Sequence, residues 1–188
     1  QDVNPNNSDL HPIDPDGASG GRVNLLASVP GDNQVFYAAT EFGGLYKSSD
    51  AGLTWSYLSG HLPVVTWDVA VDAADTDTVY ATSFYDGRTN PLSGVQLSYD
   101  AGSTWSHPPT SVPNDPALEG TADDNTPQPG YTCPVARRTE PSAFGIGIRP
   151  DASQNVYIGT NCGLAISSDS GATWTFVDPT PATPASDG

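Results

Sequence analysis

Three aspartates recur at one place in an eight-residue pattern: Ser48-Ser49-Asp50-Ala51-Gly52-Leu53-Thr54-Trp55, Ser98-Tyr99-Asp100-Ala101-Gly102-Ser103-Thr104-Trp105 and Ser167-Ser168-Asp169-Ser170-Gly171-Ala172-Thr173-Trp174. A repeated carboxylate invites an acid–base reading, because proton transfer is a common task of positioned carboxyl groups. The neighbouring residue types point to another use. Ser and Asp side chains fold back onto backbone N–H groups two residues on and stabilise a tight turn, while Gly supplies a positive φ without steric cost. Thr and Trp then open a strand, since β-branched and aromatic side chains suit a pleated, half-buried surface. One indole per copy is expected to pack beneath its own hairpin. A turn-forming role thus accounts for Ser48, Asp50, Gly52 and Trp55, for Ser98, Asp100, Gly102 and Trp105, and for Ser167, Asp169, Gly171 and Trp174, so these are read as structural.

A second constellation carries more chemistry. Three of the five arginines, Arg88, Arg137 and Arg138, fall in two loops with Tyr85, Asp86, Tyr131, Asp123, Asp124 and Glu140. Guanidinium groups bind carboxylates bidentately, and exposed aromatic rings stack on sugars. Tyr85, Asp86, Arg88, Tyr131, Arg137 and Arg138 are therefore the ligand-binding candidates, with neutralisation of the neighbouring acidic loops as the alternative for Arg137 and Arg138. Asp123-Asp124-Asn125 lacks the alternating ligand spacing of a calcium loop. No metal and no cofactor are expected.

Positioning these loops falls to strands. The 188 residues include 19 Gly and 18 Pro separating runs of Val, Tyr, Ile and Thr, which describes a turn-rich all-β chain with no convincing helical period. Aligning the octapeptides exposes a longer repeat whose unit is about one four-stranded propeller blade. Its strands read as Val23–Val29, Val35–Thr40, Gly44–Ser48 and Thr54–Leu58, then Trp67–Val71, Thr78–Ser83, Gly94–Ser98 and Thr104–His107, then Phe144–Ile148, Asn155–Thr160, Gly163–Ser167 and Thr173–Val177. Equivalent tyrosines fall at Tyr37, Tyr80 and Tyr157.

The expected organisation is an extended segment over 1–20, three blades at about 21–60, 64–107 and 142–177, an inserted loop over 108–141, and a Pro-rich tail over 178–188. In a four-stranded blade the second-to-third-strand loop shares a face with the loop leading to the next blade, and the octapeptide turn lies on the other. The insertion and the Tyr85–Asn90 loop therefore sit together with Glu41 and Phe42. Cys133 and Cys162 fall in loops of the same blade and can pair, pinning the insertion with roughly 2–4 kcal/mol of stabilisation. Propellers close with four or more blades, so three require further blades, whether from a longer chain, a companion chain or a second copy.

Six basic against 22 acidic residues give a formal charge of −16, which repels phosphate backbones and excludes nucleic acid as an expected partner. No apolar run reaches the length of a membrane span. A chain that begins at Gln1 and contains no Met reads as a secreted, mature product, extracellular or periplasmic.

The octapeptide matches the Asp-box, and the stretch from Gly20-Gly21-Arg22 through Val35–Thr40, Gly43–Ser48 and the first box resembles the opening blade of bacterial secreted Asp-box proteins related to sialidases and to sortilin-type propellers. The resemblance covers about residues 20–177 and implies a β-propeller fold. Its members include sialidases, xyloglucan-cleaving glycosidases and propellers without known activity. In sialidases the first substrate-binding arginine lies in an Arg-Ile-Pro-like segment, whereas Arg22 is followed by Val23 and Asn24. In xyloglucanase-type propellers an Asp precedes the Gly-Gly of the first blade, and the similar segment Glu41-Phe42-Gly43-Gly44 makes Glu41 the candidate catalytic carboxylate. A glycosidase needs two such groups, and no partner for Glu41 is identified. The leading expectation is a binding or structural propeller surface with carbohydrate as ligand. The alternatives are a glycoside hydrolase, sialidase- or xyloglucanase-like, whose remaining blades lie outside this chain, and a self-assembling extracellular protein.

Overall fold

The computed structural model describes residues 22–58, 63, 65–84, 94–106, 142–160 and 163–177. These form eleven strands in three antiparallel sheets, each in simple sequential order. The first holds β1 (Val23–Val29), β2 (Asp32–Thr40), β3 (Gly44–Ser48) and β4 (Ser56–Tyr57). The second holds β5 (Thr66–Val71), β6 (Val79–Ser83) and β7 (Gly94–Ser98). The third holds β8 (Ala143–Ile148), β9 (Val156–Thr160), β10 (Gly163–Ser167) and β11 (Thr175–Val177). The fold is an all-β partial propeller: strands follow one another by hairpins, and contacts between sheets run through β1 and β5, β2 and β5, β5 and β8, and β6 and β8. No helix among the described residues is long and apolar enough to cross a membrane.

Two apolar seams hold the sheets face to face. Alternation along β2 turns Tyr37 and Ala39 toward the second sheet, where they meet Val69, Val79 and Ala81, with Leu45 beside them and Leu58 and Trp105 at the margin. Residues on the opposite face of β6 and β7, Tyr80, Val95 and Leu97, meet Ala143, Val156, Ile158, Ala165 and Trp174 of the third sheet. Each large side chain buried in this way contributes roughly 1.5–3 kcal/mol.

Three expectations are corrected. β4 and β11 start at Ser56 and Thr175 rather than at Thr54 and Thr173, because each of those threonines gives its backbone N–H to the octapeptide aspartate instead of to a ladder. The second sheet shows three strands, and in place of a fourth over Thr104–His107 its described residues make one bridge, Leu97 to Ser106. The indoles do more than plug their own hairpins. Trp105 donates to its own Gly102 carbonyl at 3.0 Å and also packs against the seam with the first sheet, and Trp174 lies buried in the seam with the second.

The candidates Tyr85, Asp86, Arg88, Tyr131, Arg137 and Arg138, the pair Cys133 and Cys162, the insertion over 108–141 and both terminal segments lie outside the described residues.

Candidate functional site

The octapeptide turns occupy one end of the sheets. In each, the Ser hydroxyl donates to its Asp and accepts from the Gly N–H; the Asp then accepts from both the N–H and the hydroxyl of the Thr. For Asp100 the Thr104 bonds are 2.7 Å to Oδ1 and 2.6 Å to Oδ2. Both carboxylate oxygens are engaged within the turn. The hydrogen bonds from Thr104 and Ser98 hold Asp100 down to about 2, and those from Thr54 and Thr173 lower Asp50 and Asp169 in the same direction. Such groups brace a turn, and a proton taken from substrate would have to displace these donors.

The other end differs. There each innermost strand carries an irregularity near its start: the register slips between Val23 and Leu25, between Thr66 and Asp68, and between Ala143 and Ile146. Counting from the pairs Ala27 with Tyr37, Ala70 with Tyr80 and Gly147 with Tyr157, the residues at the slip are Asn24, Trp67 and Phe144. A bulge re-aims its side chain out of the ladder. Asn24 donates to the Thr66 carbonyl at 2.9 Å, linking the first bulge to the second strand set. Trp67 remains 36% exposed and stands edge-on to Phe84 and Phe144, with centroids 5.7 and 5.9 Å away.

Beside Trp67 runs a groove of about 370 Å³ lined by Arg22, Val23, Asn24, Leu25, Trp67 and Asp68. Arg22 donates to Asn24 Oδ1 at 3.1 Å and reaches Glu41 Oε1 at 3.4 Å. Glu41 is fixed from behind, since its N–H donates to the Arg22 carbonyl at 2.9 Å. Phe42, next in the β2–β3 loop, is 37% exposed. Asp68 accepts from the Val69 N–H at 2.7 Å and, across the seam, from the Ile146 N–H at 2.8 Å. Burial pushes its carboxyl up, and those two N–H donors partly oppose the rise.

Of the sequence candidates the structure describes, Glu41 alone lies at this end, paired with Arg22. Trp67, Asn24 and Asp68 are missed by the sequence reading, which takes Trp67–Val71 as an ordinary strand. The signal was present in the aligned repeats: Asp68 interrupts an otherwise apolar innermost strand, and the Asn/Trp/Phe position does not repeat. An exposed indole ring, an amide, a guanidinium and a carboxylate around an open groove suit a polyol that stacks one face and hydrogen-bonds at its edges. Among the described residues no group of three His, Cys, Asp or Glu side chains is arranged to hold a metal ion.

No family model matches the chain. It is 27% identical over 175 residues to a xyloglucanase of Acetivibrio thermocellus, an alignment covering 88% of this chain and 18% of that protein. It is 28% identical over 171 residues to a xyloglucanase of a Paenibacillus species, covering 86% of this chain and 15% of the relative. The chain thus spans less than a fifth of the length of these curated relatives. Among solved structures, the GH74 xyloglucanase of Xanthomonas campestris superposes with a TM-score of 0.57 at 17% identity, over 87% of this chain and 24% of that one. The GH74 enzyme of Niastella koreensis superposes with a TM-score of 0.51 at 20% identity, over 84% and 22%. Both are β-propeller proteins, in agreement with the sheet order found here.

Proposed function

We propose that this chain is a carbohydrate-active propeller module of the glycoside hydrolase type, acting on a β-glucan such as xyloglucan, with the polysaccharide laid along the bulged end of the sheets. The observation that carries this reading is the groove lined by Trp67, Asn24 and Arg22, whose guanidinium also pairs with Glu41 in the neighbouring β2–β3 loop. The relatives named xyloglucanase add support. No relative named here is a sialidase, so the glucan reading is preferred to the sialic acid one. A secreted setting suits a polysaccharide substrate.

In this reading Trp67 is the platform for one sugar ring, and Asn24 and Arg22 hydrogen-bond its hydroxyls. Glu41 supplies one of the two carboxyl groups that glycoside cleavage needs, held toward the groove by Arg22. The octapeptide aspartates are assigned to the scaffold.

A binding-only reading is favoured by one observation. Asp68, the carboxyl that lines the groove, spends its oxygens on two backbone N–H groups and ties β5 to β8. The two readings separate in one experiment. Isothermal titration with xyloglucan oligosaccharides should show binding that falls about tenfold or more in Trp67→Ala, equivalent to about 1.4 kcal/mol. Release of new reducing ends, abolished in Glu41→Gln, establishes cleavage. Binding without release leaves a glycan-binding module, and no binding at all removes the carbohydrate reading.

A further inference from the structure

A bulged residue stands outside its own ladder, so something other than strand pairing must hold it in place. For the third bulge that support comes from the second sheet. Asp68 and Thr82 face each other across the β5–β6 ladder, and both side chains reach the same bend of β8. The Thr82 hydroxyl donates to the Phe144 carbonyl, and the Ile146 N–H donates to Asp68 Oδ2 at 2.8 Å. The bend is thus clamped on both sides of Gly145. The Phe144 ring then meets Trp67 at an interplanar angle of 90°, while Phe84, just beyond β6, meets the same indole at 70°. On the other flank the Asn24 amide is bonded to the carbonyl of Thr66, the residue before Trp67.

Neither of the other sheets has a polar pair at these places. Counting along the ladders from Ala27 with Tyr37 and from Gly147 with Tyr157, the places of Asp68 and Thr82 fall to Leu25 and Ala39 in the first sheet and to Gly145 and Gly159 in the third. The pair occurs only in the sheet that carries the indole. Leu25 and Ala39 show that the blade geometry accepts an apolar pair there, whereas a half-buried carboxylate has a desolvation cost that apolar side chains avoid. What Asp68 and Thr82 add is direction. Each bond fixes one backbone group of the β8 bend, and together they set where the Phe144 ring stands.

We infer that Asp68, Thr82 and Phe144 are positioning residues for the sugar platform: from across the β5–β8 seam they hold the Trp67 ring at a fixed tilt before a ligand arrives. An indole 36% exposed with no neighbouring ring would sample several rotamers, and stopping that motion on binding weakens affinity. Edge-on contacts with two rings settle its orientation in advance. Thr82 is fully buried, so it touches no ligand and acts only through the Phe144 bend. The inference rests on the glycan reading for its ligand, but the hold on Trp67 belongs to the protein alone and is measured without sugar.

Two measurements on the full chain test it. The first needs no ligand. The near-ultraviolet circular dichroism of Trp67, taken as the spectrum of a chain minus that of the same chain carrying Trp67→Phe, reports an indole held in one asymmetric setting. That difference band should be lost in Phe144→Leu and reduced in Thr82→Val, with the far-ultraviolet spectrum unchanged, and Thr82→Ser, which keeps the hydroxyl, should retain it. The second is isothermal titration with xyloglucan oligosaccharides. Affinity should fall about threefold to tenfold in Phe144→Leu and about threefold in Thr82→Val. Neither substitution should weaken binding further once Trp67→Ala is present, because both act through that ring, whereas a general loss of structure would weaken binding in either background. A Trp67 band unchanged in both variants overturns the inference, as does an affinity loss of equal size with and without Trp67. If the wild-type chain binds no xyloglucan oligosaccharide, the glycan reading fails; a lost band then still upholds the hold on Trp67, and an unchanged band still overturns it.

Discussion

At one end of the three sheets, the Ser-to-Asp hydrogen bonds measure 2.8, 2.8 and 2.7 Å in the three octapeptides, and the Ser-to-Gly bonds 2.9, 2.8 and 2.8 Å. At the other end, equivalent positions hold an amide, an indole and a phenyl ring: Asn24, Trp67 and Phe144. The first end repeats because every blade must solve the same problem, reversing the chain while seating a turn on its neighbour. The second end is released from that demand, since bulged residues have left the ladder, and its side chains are free to differ. Repetition therefore marks scaffold and divergence marks the recognition surface, so the aspartates that look most like catalysts are the least available for chemistry.

Acid should break the repeated end first, and this is the largest effect expected because all three turns are involved. Depressed carboxyls stabilise the fold above the unfolded-state value of about 3.9, and that stabilisation is lost as pH falls through the folded value, about 2 for Asp100. Asp68 has the opposite sign. Its raised carboxyl favours the fold at low pH and loses that contribution as pH rises through its folded value. Urea unfolding between roughly pH 5 and pH 2 should show stability falling toward acid. Asp100→Asn should flatten that fall, and an unaltered acid limb would detach the turns from the fold's stability.

A second test separates turns seated against the neighbouring sheet from turns that are not. Gly171 has φ +86° and a Cβ site 2.4 Å from buried Leu97, whereas Gly52 has φ +83° and a Cβ site in ordinary contact with its own Trp55, at 3.8 Å. Gly171→Ala should cost about 3 kcal/mol from strain plus overpacking, and Gly52→Ala about 1 kcal/mol from strain alone. Equal losses in denaturant titrations would mean that seating is not what distinguishes the turns. At the divergent end, Trp67→Ala should cost about tenfold or more in glucan affinity. The same substitution at Trp55 should leave that affinity unchanged.

The repeated end was legible in the sequence because its hydrogen bonds all close within eight residues. Strands β7 and β10 fall on the residues expected, Gly94–Ser98 and Gly163–Ser167, since each begins at a glycine and ends at the octapeptide Ser. The divergent end was hidden because a bulge is a property of register, and register is set by pairing with β2, β6 and β9 rather than by the bulged residues themselves. Trp67 reads as an ordinary strand residue until the fold brings Phe144 against it. Glu41 was found through a family pattern, but its hold by Arg22 depends on β1 and β2 lying side by side.

One feature of the turns escaped even local reading, and it yields the smallest expected effect. The turn was expected to need one positive φ, at glycine, yet the residue before it is left-handed as well: Ala51 at 57°, Ala101 at 54° and Ser170 at 57°. With both central residues at positive φ, and the residue after Gly bonding back to the Asp carbonyl at 3.3 Å in the first copy, the turn belongs to the I′ class. The cause is external. The N–H of each left-handed residue donates to the edge of its own sheet's first hairpin, Ala51 to Gln34 and Ala101 to Asp77, both at 2.8 Å, and Ser170 to Gln154 at 3.0 Å. These bonds hold an alanine where its Cβ costs about 1–2 kcal/mol. Ala101→Gly relieves that strain but adds roughly 0.5–1 kcal/mol of unfolded-state entropy, so a net gain between about 0 and 1.5 kcal/mol is expected. Ala101→Val should instead lose stability, because branching at Cβ sharpens the same clash. If thermal unfolding ranks valine at or above glycine here, the left-handed turn does not govern the repeated end.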